Sequence, residues 1–310
     1  LYPEDGSTEA YVSLWKDETR VLKVRVSATH DMHVTVHTAP LTASKQETTV
    51  AVSAGLLKAS SASLGMGTDA SIPHIDVYDI LSNATETDLR AGETAWFWVL
   101  LDAGDAESGS YRGEIAFEGT DTGTLKLEAV VSSYSVAEEA VSLNLWQYPF
   151  ASYQYYGSLR GTEFLSEAHR AVLKKELELY KEAGGSHITC AITDEPWAHQ
   201  TYPDTPSLVK WNLDGNGFLW FDYTLFDQWV ELCDSVGIDG QIDCFSILPF
   251  DHAITVYSDL GEANRLVLTP GDETWRWYWE NFLYSFIDHL KEKGWLERTC
   301  LFVDERGLEY

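Results

Sequence analysis

"GGSHITCAITDEPW", residues 184–197, decides how the second half of the chain is read. The paired glycines at 184–185 stop a helix, the apolar run HITCAI at 187–192 forms a buried strand, and acids, a proline and a tryptophan then open a loop. The same sentence is spelled again on either side. Upstream, Leu165, Ala168, Val172, Leu173, Leu177 and Tyr180 lie on one helical stripe, behind an apolar strand in VSLNLWQYP at 141–149. Downstream, Phe226, Trp229, Val230 and Cys233 mark a second helix ending near Gly237, followed by a strand in GQIDCFSI at 240–247. Trp275, Trp279, Phe282, Phe286 and Leu290 mark a third, ended by Gly294 and followed by TCLFVD at 299–304.

Alternating strand and helix predicts a parallel sheet with right-handed crossovers. The helix-to-strand links are short (184–186, 237–239, 294–298), whereas the strand-to-helix links are long (about 193–221 and 246–271). Long loops therefore gather at the carboxyl edge of the strands, where such enzymes build their sites. Four strands of this type are the front half of a (β/α)8 TIM-type barrel, so the chain is expected to be truncated, with the C-terminal half of its own barrel missing. Strands 141–149 and 299–304 would then be unpaired edges, and the chain alone would be inactive and prone to aggregate.

The first half has another rhythm. RVLKVRVSA, HVTVHTAP, TAWFWVLLDAG, YRGEIAFEG and GTLKLEAVV alternate apolar and polar residues at period two, between Gly, Asp and Ser turns. That pattern predicts an antiparallel β-sandwich, with residues 53–70 as loop. The expected fold is multidomain α+β: a β-sandwich over 1–138, then the truncated barrel over 139–310.

The 310 residues carry a formal charge of −28, which repels nucleic acid and anionic membranes. Hydrophobic residues make up 45%, with 12 Trp and 16 Tyr, enough for large cores. No apolar run reaches bilayer length. Position 1 is Leu, so the start reads as cut. Cys190, Cys233, Cys244 and Cys300 follow no metal-ligand spacing and read as buried free thiols. GMGTDA at 65–70 lacks the strand and helix of a dinucleotide site, His30, His33 and His37 read as an exposed strand face, and NAT at 83–85 is a glycosylation sequon only in a suitable host.

The chemistry concentrates at VDER, residues 303–306. Asp304 and Glu305 sit at the end of the last strand, where side-chain alternation relaxes and both can reach one cleft. Neighbouring carboxylates divide their protonation, leaving one anion and one acid, a pair suited to glycoside cleavage. The competing reading is an acidic turn that caps backbone amides. Arg306 could fix the charge state of either acid or be an ordinary surface residue. The loop at 193–223, with Glu195, Trp197, Tyr202, Trp211 and Trp220, offers aromatic faces for sugar C–H surfaces or simply folds onto the helices. The same choice applies to Trp146, Gln147, Tyr148, Tyr155 and Tyr156.

On NLWQYP (144–149), EPWAHQTYPDTPSLVKW (195–211), FDYTLFDQWVELCDSVGID (221–239), CFSILPF (244–250), HLKEKGW (289–295) and VDER, the chain resembles glycoside hydrolase family 123, the β-N-acetylgalactosaminidases. The resemblance implies a β-sandwich followed by a (β/α)8 barrel and a retaining, substrate-assisted reaction. Asp304 would orient the sugar's 2-acetamido group and Glu305 would act as acid and then base. Gln147, Tyr148, Glu195, Trp197, Ser246 and Arg306 are the substrate-binding candidates. No metal or organic cofactor is implied. The partner would be a glycan or glycoconjugate ending in N-acetylhexosamine, and the setting secreted or cell-envelope. A β-N-acetylglucosaminidase and a non-catalytic glycan-binding surface protein are the alternatives.

Overall fold

A computed structural model of the chain describes residues 7–63, 74–119, 123–135, 143–147, 149, 161–200 and 205–306. The chain divides into two compact units, Leu1–Ala140 and Val141–Tyr310.

The first unit is all β. Its strands are β1 (Glu9–Lys16), β2 (Thr19–Ser27), β3 (Met32–His37), β4 (Leu41–Thr42), β5 (Thr49–Ser63), β6 (His74–Leu81), β7 (Glu86–Leu89), β8 (Thr94–Asp102), β9 (Gly109–Gly119) and β10 (Gly123–Ser135). The period-two pattern does what it predicts: in β8, Ala95, Phe97, Val99 and Leu101 face the core while their neighbours face out. Two expectations are corrected. The strands are not two separate sheets of a sandwich but one continuous hydrogen-bonded sheet, β1-β10-β9-β4-β5-β8-β2, with β3, β6 and β7 attached. It encloses one core, built from both wings. The two-residue β4 makes the join, pairing β5 on one side and β9 on the other. Gly113 of β9 permits this, because a Cβ there would lie 2.8 Å from the Leu41 side chain. Part of the expected loop at 53–70 is instead the second half of the fifteen-residue β5, and the rest lies outside the described residues.

The second unit contains α1 (Glu167–Glu182), α2 (Thr224–Val236) and α3 (Glu273–Lys293). Each end follows from a local signal. The Ser166 side chain caps α1 and Asp272 caps α3, accepting from Trp275 N–H at 2.6 Å. Gly237 and Gly294 take left-handed φ values of +86° and +74° to end α2 and α3. Three short strands, β11 (Ile188–Ala191), β14 (Ile242–Phe245) and β17 (Thr299–Phe302), form a parallel sheet in the order β11-β14-β17. The expectation of a (β/α)8 TIM-type barrel is overturned: among the described residues there are three such parallel strands and no barrel of this kind. The expected first strand at 141–149 is reduced to one bridge between Leu143 and Gly185. Beyond that bridge the backbone leaves the sheet, and the Gln147 side chain takes over its edge, accepting from Thr189 N–H at 2.9 Å.

The long loops also hold structure that the strand count missed. The strands β12 (Lys210–Leu213), β13 (Leu219–Asp222), β15 (Ala253–Tyr257) and β16 (Ala263–Val267) form a separate mixed sheet, β13-β12-β15-β16. Trp211 of β12 stacks on Phe282 of α3 at 4.6 Å, with Trp279 and Phe221 edge-on, so this loop tryptophan is core. Cys190, Cys233 and Cys244 are buried free thiols, whose burial pushes their pKa values well up. No described helix is long and apolar enough to cross a membrane.

Candidate active site

Parallel pairing puts the carboxyl ends of β11, β14 and β17 on one edge, with Ala191, Phe245 and Phe302 in register. Phe245 and Phe302 stack at 5.1 Å on one face of the sheet. Two residues past Phe302 comes Asp304. Its Oδ2 accepts the indole Nε1–H of Trp197 at 2.7 Å. Trp197 stacks on Trp146 with centroids 5.3 Å apart and planes 25° from parallel, and both lean on Phe245, at 5.2 and 4.8 Å. Three segments distant in sequence thus converge on one carboxylate, over an aromatic floor.

Asp304 is half-buried and Glu305 exposed. Glu305 has a φ of +32°, outside strand geometry, so the two acids are not obliged to point to opposite faces of a sheet.

The remaining candidates hold the site together. Glu195 is 6% exposed, and one carboxylate oxygen accepts the backbone N–H of Thr205 while the other lies 3.3 Å from His199 Nδ1. Its own N–H donates to Thr205 O at 2.9 Å, which closes the loop that carries Trp197. Ser246 is buried, and its hydroxyl joins β14 to β17 by donating to Phe302 O at 3.3 Å and accepting from Leu248 N–H at 3.1 Å. The Phe245–Ser246 peptide is cis. Arg306 donates to Leu248 O at 3.1 Å and to Pro249 O, and lies 4.7 Å over the Phe250 ring. The guanidinium thereby ties the residue next to Glu305 to the loop after β14. Gln147 bonds backbone at both ends, to Thr189 and Leu145. Tyr148, Tyr155, Tyr156 and Tyr202 lie outside the described residues.

Trp197 is where the sequence reading needs most revision. At 4% exposed it has no face to offer a sugar. Trp146, 38% exposed and stacked on it, does. The sequence reading does not single out Phe245 and Phe302; their signal is the matching aromatic at the last position of β14 and of β17. Beside the site, between the loop after β14, β16 and the start of α3, an open cleft of about 650 Å³ is lined by Ile247, Leu248, Leu268, Pro270 and Trp275. Among the described residues no group of three or more His, Cys, Asp or Glu is placed to hold a metal.

The family model described as "Glycoside hydrolase 123, catalytic domain" matches residues 146–310, just over half of the chain. Among solved structures, the chain is similar to a family 123 glycoside hydrolase from Clostridium perfringens, studied for glycolipid glycan hydrolysis, with a TM-score of 0.91 and 25% identity. That likeness covers 97% of this chain and 55% of the other, so this chain spans about half the length of its relative. The PapD-like domain of human CEP192 (TM-score 0.22, 11% identity, 44% of this chain and 94% of that one) and the class 5 fimbriae chaperone CfaA (0.19, 12%, 44% and 57%) are too distant to carry any argument. No curated protein matches the chain. The family match falls on the unit that holds the acid pair and its aromatic floor, and the structural likeness runs through both units: the chain belongs to glycoside hydrolase family 123.

Proposed function

We propose that the full-length protein removes terminal β-linked N-acetylgalactosamine from glycans, glycolipid-borne ones included, with retention of configuration and with the sugar's own acetamido group as nucleophile. The observation that carries this reading is the adjacency of Asp304 and Glu305 at the strand edge, with Asp304 already held by an N–H donor. Two carboxylates on successive residues are a poor fit for a pair flanking one glycosidic bond as nucleophile and acid. They suit a reaction in which one acid serves the N-acetyl arm and its neighbour the leaving oxygen.

In that reaction the acetamido carbonyl oxygen attacks C1 while the C1–O bond to the aglycone breaks. The proton of Glu305 passes to the departing oxygen. Asp304 accepts the acetamido N–H and offsets the positive charge that develops on the oxazolinium-like ring. Water then adds to C1, gives its proton to Glu305 and reopens the ring, restoring both carboxyl groups. The exposed face of Trp146 would stack against the sugar. A secreted or envelope setting is part of the proposal and rests on the family alone.

The test is hydrolysis of aryl β-N-acetylgalactosaminide and β-N-acetylglucosaminide by the full-length protein and by Glu305→Gln and Asp304→Asn. The galacto substrate should be turned over with a β first product, and loss of the acid–base group should lower kcat by about 10²–10⁴-fold. Preference for the gluco substrate would change the sugar and leave the mechanism. An α first product would overturn the mechanism, and no turnover of any N-acetylhexosaminide would favour a glycan-binding protein.

A further inference from the structure

We infer that Trp197 is a positioning residue for this reaction: its indole N–H fixes the Asp304 carboxylate, and so acts on the acetamido group without touching the sugar. The inference rests on the substrate-assisted reading above. Three observations carry it. The Nε1–O distance of 2.7 Å is that of a strong hydrogen bond to a carboxylate. The ring is 4% exposed, so it cannot also serve as a platform. And the indole is itself immobilised, stacked on Trp146 at 5.3 Å, packed on Phe245 at 5.2 Å and carried by a loop that Glu195 closes through Thr205.

The chemical consequence follows from what the bond leaves over. Trp197 takes Oδ2, so Oδ1 is the oxygen presented to the acetamido N–H. Asp304 lies two residues past the end of β17 and has no helix to set its rotamer. Without the indole the carboxylate would swing, and the nucleophile it orients would be lost from its attacking position in most encounters. The effect belongs to the oxazolinium-like state, in which the carboxylate faces positive charge, and much less to bound sugar product.

The experiment uses the full-length protein with Trp197→Phe and, separately, with the Trp197 indole exchanged for benzothiophene, which keeps the bicyclic shape and deletes only the N–H. Three quantities are read: kcat and KM on the aryl β-N-acetylgalactosaminide, affinity for the sugar-fused thiazoline that mimics the cyclic intermediate, and affinity for free N-acetylgalactosamine. In the benzothiophene variant kcat should fall by about tenfold to a hundredfold, as for a lost hydrogen bond to a charged group, with KM changed by less than about twofold. Thiazoline affinity should fall by the same factor and product affinity should hold. Wild-type kcat and thiazoline affinity in that variant would overturn the inference, as would equal losses for thiazoline and product, the mark of a merely structural role. Failure of the unmodified protein to bind the thiazoline would instead remove the mechanism on which the inference stands.

Discussion

Asp243, in the middle of β14, allows charge and hydrogen bonding to be separated by experiment. Its carboxylate is fully buried, and three side chains serve it: Asn144 Nδ2 at 2.8 Å and His187 Nδ1 at 3.1 Å on Oδ2, and Gln241 Nε2 at 2.8 Å on Oδ1. Asp243→Asn keeps an oxygen for Asn144 and His187 and sets an amide opposite Gln241, whose own amide can turn to meet it. That variant should lie within about 1 kcal/mol of wild type. Asp243→Leu strands all three donors. A fully buried orphan costs up to ~3 kcal/mol, but Asn144 is exposed and the His187 side chain is 22% exposed, so water reaches part of each. Taking each donor near ~1 kcal/mol gives a loss of about 3 kcal/mol, or a Tm lower by roughly 6–12 °C for a unit of this size. Urea unfolding followed by far-UV circular dichroism measures both variants. If the leucine protein proves as stable as the asparagine one, the donors are satisfied elsewhere and Asp243 does not anchor the sheet.

Phe282 of α3 has no exposed surface and stacks on both Trp211 and Phe286, so Phe282→Ala should cost about 3–5 kcal/mol in the same assay, and a loss under ~1 kcal/mol would contradict the packing described. His169 is buried, with Nδ1 accepting Leu165 N–H at 3.1 Å and Nε2 facing Pro149 O at 3.1 Å. Burial depresses its pKa below the ordinary 6.5, so the unfolded chain takes up a proton first and stability must fall as pH drops below that value. In His169→Asn the acid-side slope of unfolding free energy against pH should be shallower, and identical slopes would refute the assignment.

How much of this was legible depends on the length of the element. The three helices were readable because each carries a long apolar stripe that a glycine soon follows, and α1 and α3 also open on a side-chain cap. The strands β11, β14 and β17 were readable as apolar runs that follow those stops. The hairpin of β12 and β13 was not, because four-residue strands have no measurable period, although the Asp214–Gly217 turn between them, closed by Gly217 N–H to Asp214 O at 3.0 Å, is a hairpin signal that went unused. The sheet in the first half was mistaken for a sandwich because β4 has only two residues, and nothing in two residues announces that they join two wings. At the candidate site, the adjacency of Asp304 and Glu305 just past a strand end is legible in the sequence. Sequence also singles out Gln147, Glu195, Ser246 and Arg306, but it does not reveal that each of these side chains is already hydrogen-bonded within the protein. For Trp197 and Trp146 the sequence offers the same two readings, platform or packing, and only burial tells them apart, at 4% against 38% exposed.

The two stacked indoles give the site an optical signature. Ring systems 5.3 Å apart and 25° from parallel couple their electronic transitions, and one of the two has a carboxylate at its N–H. Whatever displaces Asp304 or settles on Trp146 must therefore change the near-ultraviolet signal of that pair, and binding at the carboxyl edge can be followed by light alone, with no label and no turnover.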